Sequence, residues 1–183
     1  MTRRLSSIAL FAAIALGAGR PATGSPTTDV IDALSGVDFL PGVTRLTAIL
    51  GDDLSVLADV ANGELDPGVR IRAYRSLGQF PVEEARLGIK EGIDRYRTAT
   101  AGTELLYLAA ATEALGESGG PADVPLLAPI LDAPSRDLRV VVARALGRIG
   151  GDLACALLRA RRDVEQVDQV RIEIDEASAA CAR

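Results

Sequence analysis

The chain has 183 residues, of which 20 are basic and 25 acidic, giving a net charge of −5 at neutral pH. It contains no histidine, so it lacks the commonest general base and the commonest metal ligand of proteins. The acidic balance and the 3% aromatic content argue against nucleic-acid binding, which depends on clustered positive charge and stacking side chains. We therefore expect no enzymatic activity, no cofactor, no metal and no nucleic-acid partner.

The first 24 residues have the pattern of a secretory signal peptide. Two arginines precede an apolar run over residues 8–17, and small residues follow it. The alternative is a membrane anchor, but a span needs about 20 apolar residues, and glycine, arginine and proline end this run too soon. The pattern predicts cleavage after Gly24, with Gly17 as the second choice, and export to the periplasm or the medium without a membrane anchor. Cleavage after Gly24 would remove three arginines and no acid, which changes the net charge from −5 to −8.

Residues 25–51 have the composition of a linker followed by an irregular helical cap. Apolar residues at helical spacing predict short helices at Thr28–Leu34 and Val43–Leu50, with a break at residues 40–42. No useful period-two alternation occurs here or further along the chain, so we expect an all-α protein without strands.

The rest of the chain, from residue 52 onward, contains an internal repeat. The run from Val69 to Gly78 returns, in residue class at most positions, from Leu138 to Gly147. A third Leu-Gly pair ends at Gly116, which makes the spacings 38 and then 31 residues, the range of paired-helix repeats. Before each pair, apolar or small residues recur at i, i+4, i+7 and i+8, the pattern of one buried helix face. We expect the glycine of each pair to end its helix in a left-handed cap.

Each repeated helix needs a partner before it, because one amphipathic helix cannot cover its own apolar stripe. The sequence predicts the partners and a final second helix at 53–61, 82–97, 122–131, 152–161 and 167–181. The predicted repeats are 52–80, 81–119, 120–150 and 151–183. The last repeat lacks the Leu-Gly pair, as expected of a terminal capping repeat.

This pattern resembles HEAT repeats, particularly the short, bilin-lyase-type variety with Val-Arg near the start of the second helix and Ala-Leu-Gly at its end. Val69-Arg70 and Leu138-Arg139 match the first motif, whereas the middle repeat has Leu108 where arginine would stand. The resemblance implies an armadillo-like α-solenoid of about four antiparallel helix pairs, with the second helices on the concave side. It also implies protein–protein interaction or scaffolding, with enzymes such as the bilin lyases in a minority.

Cys155 and Cys181 are the two cysteines of the chain, and both lie in the last predicted helix pair. In an antiparallel hairpin the start of the first helix lies beside the end of the second, which allows the roughly 5.5 Å Cα separation of a disulfide. An exported protein meets an oxidising compartment, so we predict a disulfide between them. Two buried free thiols are the alternative.

Four arginines lie off the buried stripes of two second helices: Arg72, Arg75, Arg144 and Arg148. On a concave surface they would form a partner-binding patch able to hold an acidic peptide or a carboxylated ligand. The alternative is an ordinary solvated face, because glutamates occupy comparable positions in the other two repeats. These glutamates are Glu113, Glu117, Glu173 and Glu176.

The sequence thus predicts an exported, monomeric interaction or scaffold module, which binds an unidentified protein through its concave face and has no catalytic residues. Two alternatives remain open at this point. One is a lyase-type enzyme or enzyme subunit, and the other is a purely structural component of the cell envelope.

Overall fold

A computed structural model describes residues 25–36 and 39–182, and these contain ten α-helices and no strand. The prediction of an all-α solenoid is confirmed. The predicted signal peptide lies outside the described residues.

The helices follow one another as short antiparallel pairs. They are α1 Pro26–Leu34, α2 Val43–Leu50, α3 Ser55–Asn62, α4 Pro67–Leu77, α5 Glu83–Tyr96, α6 Gly102–Ser118, α7 Val124–Leu127, α8 Arg136–Ile149, α9 Gly151–Val164 and α10 Asp168–Ser178. Three 3₁₀ turns at Pro121–Asp123, Ala128–Asp132 and Ala179–Ala182 complete the described structure. Each predicted repeat range contains one pair, and we call α3, α5, α7 and α9 the first helices and α4, α6, α8 and α10 the second helices.

Side-chain caps determine where two of the second helices begin. The Asp66 carboxylate accepts hydrogen bonds from the backbone N–H groups of Gly68 and Val69, and Pro67 occupies the first turn of α4. Ser135 caps α8 in the same way, its hydroxyl accepting from the N–H of Leu138. These caps set the position of the arginine that follows in the first turn of each helix.

The predicted helix at 122–131 is interrupted, because prolines recur every fourth residue at Pro121, Pro125 and Pro129. Proline lacks the backbone N–H and its ring collides with the preceding helical turn, so a continuous α-helix is excluded there. The chain forms a 3₁₀ turn, the four-residue α7 and a second 3₁₀ turn. We call residues 121–132 the proline segment.

The second helices pack side by side in the order α4, α6, α8, α10, and the Leu-Gly pairs lie where they touch. A Cβ atom added to Gly116 would lie 2.7 Å from the Cα of Ala145, closer than real side chains permit. Gly78 and Gly147 stand in the same relation to Ala114 and Ala177, each at 2.9 Å. Because it has no side chain, each glycine allows the backbone of the next second helix to come into direct contact.

The prediction that these glycines form left-handed caps is wrong. Gly116 and Gly147 lie inside α6 and α8, and Gly78 has a φ of −58°. The recurrence instead reflects close packing between helices. This also explains the last repeat, where Ala177 packs against Gly147 but no second helix follows α10 among the described residues to require another glycine.

Replacing Gly116 with alanine is expected to destabilise the protein by about 1–3 kcal/mol, because the new methyl group overlaps the backbone of α8. Helix propensity alone predicts that the same substitution stabilises the protein by roughly 1 kcal/mol. A measured loss of stability would therefore identify the packing effect. Gly120→Ala is the matched control, since its backbone is extended and nothing lies within 4 Å of its added Cβ. Equal urea midpoints for the two variants would contradict the packing role of Gly116.

A single hydrophobic core runs through the stack, from Val30 in α1 to Ile174 in α10. The helix α1 covers one end of this core by packing on α3 and α4. Arg72 secures this cap because its Nε donates to the backbone carbonyl of Leu34. The helix pairs from α1 to α10 therefore share one core and form one continuous body.

Candidate functional site

Two arginines at equivalent positions of α4 and α8 connect neighbouring repeats. Arg70 donates from Nε to the carbonyl of Ala61 in α3, at 3.0 Å, and from Nη2 to the hydroxyl of Tyr96 at the end of α5, at 2.6 Å. It therefore joins the end of its own first helix to the end of the next one.

Arg139 repeats this arrangement one turn into α8. Its Nη1 donates to the carbonyls of Ala133 and Pro134, at 2.9 and 3.0 Å. Its Nε and Nη2 form a bidentate pair with Glu165 at the end of α9, at 2.8 and 3.0 Å. Arg139 and Arg70 are 8% and 7% exposed, so both are used inside the stack and are not available to a ligand.

The middle repeat has no arginine at this position, and its second helix is contacted instead by Arg70 of the preceding repeat. Its guanidinium carbon lies 3.9 Å from the centroid of the Tyr107 ring, which belongs to α6, and 5.7 Å from that of Tyr96. The two tyrosine rings are 5.3 Å apart. A buried cation–π cluster thus joins α4, α5 and α6.

Glu165 is the centre of a second buried cluster. Only 1% of this residue is exposed, and besides Arg139 it accepts hydrogen bonds from Arg161 and from the backbone N–H groups of Gln166 and Val167. Burial by itself raises the pKa of Glu165, but the hydrogen bonds from Arg139, Val167 and Arg161 outweigh it and lower the pKa to about 2. The carboxylate is therefore held ionised as a structural group.

This lowered pKa predicts a dependence of stability on pH. Because the unfolded chain binds the proton first, near the ordinary pKa of 4.5, the stabilisation from Glu165 is complete above that pH and is lost as the pH falls toward 2. The difference in unfolding free energy between wild type and Glu165→Gln is expected to shrink over this interval in urea titrations. A difference that stays constant with pH would contradict the assignment.

Seven charged residues in the C-terminal halves of the second helices define what we call the second-helix face. They are Arg75, Glu113, Glu117, Arg144, Arg148, Glu173 and Glu176. Ion pairs connect adjacent helices across this face: Arg75 to Glu113 at 3.0 Å, Arg144 to Glu173 at 2.6 Å, and Arg148 to Glu117 at 3.5 Å.

The four arginines of the predicted patch do not form one cationic surface. Arg75, Arg144 and Arg148 each form an ion pair with a glutamate of a neighbouring second helix. Arg72 instead donates a hydrogen bond to α1. Arg144 and Arg148 do come together, in an open cleft of about 360 Å³ between α8 and α10 whose floor is Gly147 and Ala177. The second-helix face is thus of mixed charge.

The disulfide predicted between Cys155 and Cys181 is present in the structure, with the two Cα atoms 5.7 Å apart. It ties the second turn of α9 to the 3₁₀ turn that follows α10. Within residues 25–36 and 39–182, no group of three or more acidic or cysteine side chains could hold a metal ion, and no helix is long and apolar enough to cross a bilayer.

The comparison with protein families identifies the repeat. A family described as HEAT repeats matches residues 103–179, which contain the Gly–Ala contacts of α6, α8 and α10 and the Arg139–Glu165 pair. No curated protein matches the chain. HEAT repeats generally mediate protein–protein interaction. With this match, residues 103–179 are HEAT repeats, and stacked helix pairs of similar arrangement precede them from α3 onward.

Proposed function

We propose that this HEAT-repeat protein is an exported module without enzymatic activity that holds a partner protein on its second-helix face. The observation that carries the proposal is the alternation of charge along that face. Arg75, Glu113, Arg144 and Glu176 occupy equivalent positions of α4, α6, α8 and α10, so positive and negative groups follow one another from repeat to repeat.

The packing of the stack supports this face as the concave one. The second helices meet at backbone contact through glycine and alanine at each step from α4 to α10. The first helices have such a contact between α3 and α5, and the proline segment interrupts their row beyond α5. A stack bends toward the side on which its units stand closer together. A curved inner surface of this kind suits the enclosure of a helix or an extended segment of another protein.

The ion pairs on the face favour exchange with a partner. In the Arg75–Glu113 pair the side chains are 50% and 39% exposed, and exposed pairs contribute only about 0–1 kcal/mol each. The charged groups are therefore already held in place but cost little to re-pair with the charges of another protein. Such preorganisation lowers the entropic cost of binding.

Export is supported by the disulfide, because disulfides persist in oxidising compartments and are rare in the cytosol. The predicted signal peptide gives a direct test by cell fractionation and intact-mass measurement. We expect the protein in the exported fraction, with a mass that corresponds to a chain beginning at Ser25. A cytosolic protein that retains residues 1–24 would refute this part of the proposal.

Partner binding is tested by charge reversal on the full chain. We expect Arg75→Glu combined with Arg144→Glu to reduce capture of a specific protein from the exported fraction by about tenfold or more. The matched control is Arg136→Glu combined with Arg159→Glu, which reverses two exposed arginines outside the second-helix face. A protein captured equally by both double variants, with both folded by circular dichroism, would overturn the assignment of this face.

A further inference from the structure

A groove of about 440 Å³ lies on the side of the first helices, between the loop that follows α5 and the proline segment. Its lining is mostly apolar, and its residues are Arg97, Thr98, Pro125, Leu126, Pro129 and Ile130. Binding sites for peptides and small ligands commonly combine such an apolar lining with a few polar groups.

The prolines account for the groove. Between the two preceding first helices the packing is direct, since a Cβ atom added to Gly88 in α5 would lie 2.6 Å from the Cβ of Ala58 in α3. The proline segment packs mainly on α8 and within its own turns, and it meets α5 through the ion pair of Lys90 with Asp123 at 2.7 Å. The space near Pro125 and Pro129, beside the loop that follows α5, stays open. Because Pro125 and Pro129 have restricted backbones, the wall they form is preorganised.

Arg97 supplies an unsatisfied charge at this groove. Its side chain is exposed and makes no ion pair or hydrogen bond with any residue in the described ranges. Nearby arginines behave differently: Arg95 pairs with Glu91 at 2.7 Å, and Arg86 pairs with Glu83 at 2.8 Å. None of the residues that line the groove is acidic.

We propose that this groove, the Arg97 groove, binds an apolar segment of a partner protein that carries a carboxylate beside its apolar side chains. The wall formed by Pro125, Leu126 and Pro129 buries the apolar side chains, and the Arg97 guanidinium pairs with the carboxylate. Residues 1–24 of this chain do not fit, because they include three arginines and no acid. The groove shares no residue with the second-helix face, so the inference does not depend on the function proposed above.

The test is a random-peptide display selection on the immobilised full chain, followed by affinity measurement with synthetic copies of the enriched peptides. We expect these peptides to place aspartate or glutamate beside leucine, isoleucine or phenylalanine. Their affinity is expected to fall by about tenfold or more for Arg97→Glu. Arg159→Glu is the matched control, because Arg159 is also exposed and unpaired within the described residues but does not line the groove.

A charge exchange separates direct contact from misfolding. Changing the acid of the peptide to lysine is expected to restore binding to Arg97→Glu and to abolish binding to wild type. Failure to enrich any peptide, enrichment of peptides without an acid, or equal affinity for both arginine variants would overturn the proposal. So would a wild-type dimer that becomes monomeric in Arg97→Glu by sedimentation, because the occupant would then be a second copy of this chain. Binding that is lost in the Arg75→Glu, Arg144→Glu double variant instead would assign the peptide to the second-helix face.

Discussion

Replacing Glu165 with alanine is expected to lower the free energy of unfolding by about 3–5 kcal/mol, the usual cost of removing one partner of a buried ion pair. The substitution leaves the Arg139 guanidinium, 8% exposed, without a counter-charge. It also removes the acceptor for the backbone N–H groups of Gln166 and Val167. Urea denaturation at neutral pH, followed by far-ultraviolet circular dichroism, measures the loss.

The control for this prediction is Asp175→Ala, which removes the acid of an exposed pair with Arg162. The side chains of that pair are 40% and 56% exposed, so the expected loss is below about 1 kcal/mol. Combining Glu165→Leu with Arg139→Met is expected to recover part of the loss, because it removes both charges together. Similar losses for Glu165→Ala and Asp175→Ala would show that the buried Glu165 cluster does not stabilise the contact between the repeats of α8 and α9.

Removing the disulfide by Cys155→Ser together with Cys181→Ser is expected to cost about 3 kcal/mol, because the closed loop restricts the unfolded chain. The two cysteines are 26 residues apart and close the last repeat, where no further helix pair follows among the described residues. Thermal and urea denaturation of the variant and of wild type, each with and without reductant, measure the effect.

Reduced wild type and the double serine variant should have the same stability, and reductant should not affect the variant. Limited proteolysis adds a local readout, since cleavage in α10 is expected to precede cleavage in α6. An oxidised wild type that is no more stable than the variant would contradict a stabilising role for the bond.

Most of the helices were predictable because their signals are local. The apolar spacing of Val69, Ala73 and Leu77 identifies the buried face of α4, and Asp66-Pro67 identifies its beginning. The proline segment shows the limit of this approach. Its apolar residues predicted one helix over 122–131, but the missing N–H groups of Pro125 and Pro129 divide it into an α-turn between two 3₁₀ turns.

The surfaces were less predictable, because the partner of each charge lies in another repeat. Arg139 has Asp137 two residues away, yet its acid is Glu165, 26 residues further on. Arg70 contacts Tyr96 over the same separation of 26 residues. The sequence shows that the arginine of Val69-Arg70 returns in Leu138-Arg139, but it does not show which residue either arginine contacts. The mixed charge around the predicted arginine patch was hidden for the same reason, since the ion pairs of its arginines span 29 to 38 residues.

The sequence by itself determined the all-α repeat, the number of helix pairs and the cysteine pair that closes the last of them. Periodicity does this because it shows which face of each helix is buried. Only the tertiary structure decided that the Leu-Gly glycines receive a neighbouring backbone, that Glu165 joins two repeats, and that Arg97 is left unpaired beside an open groove. A buried face can be read from one helix, but the residue that lies opposite it depends on how the next helix is stacked.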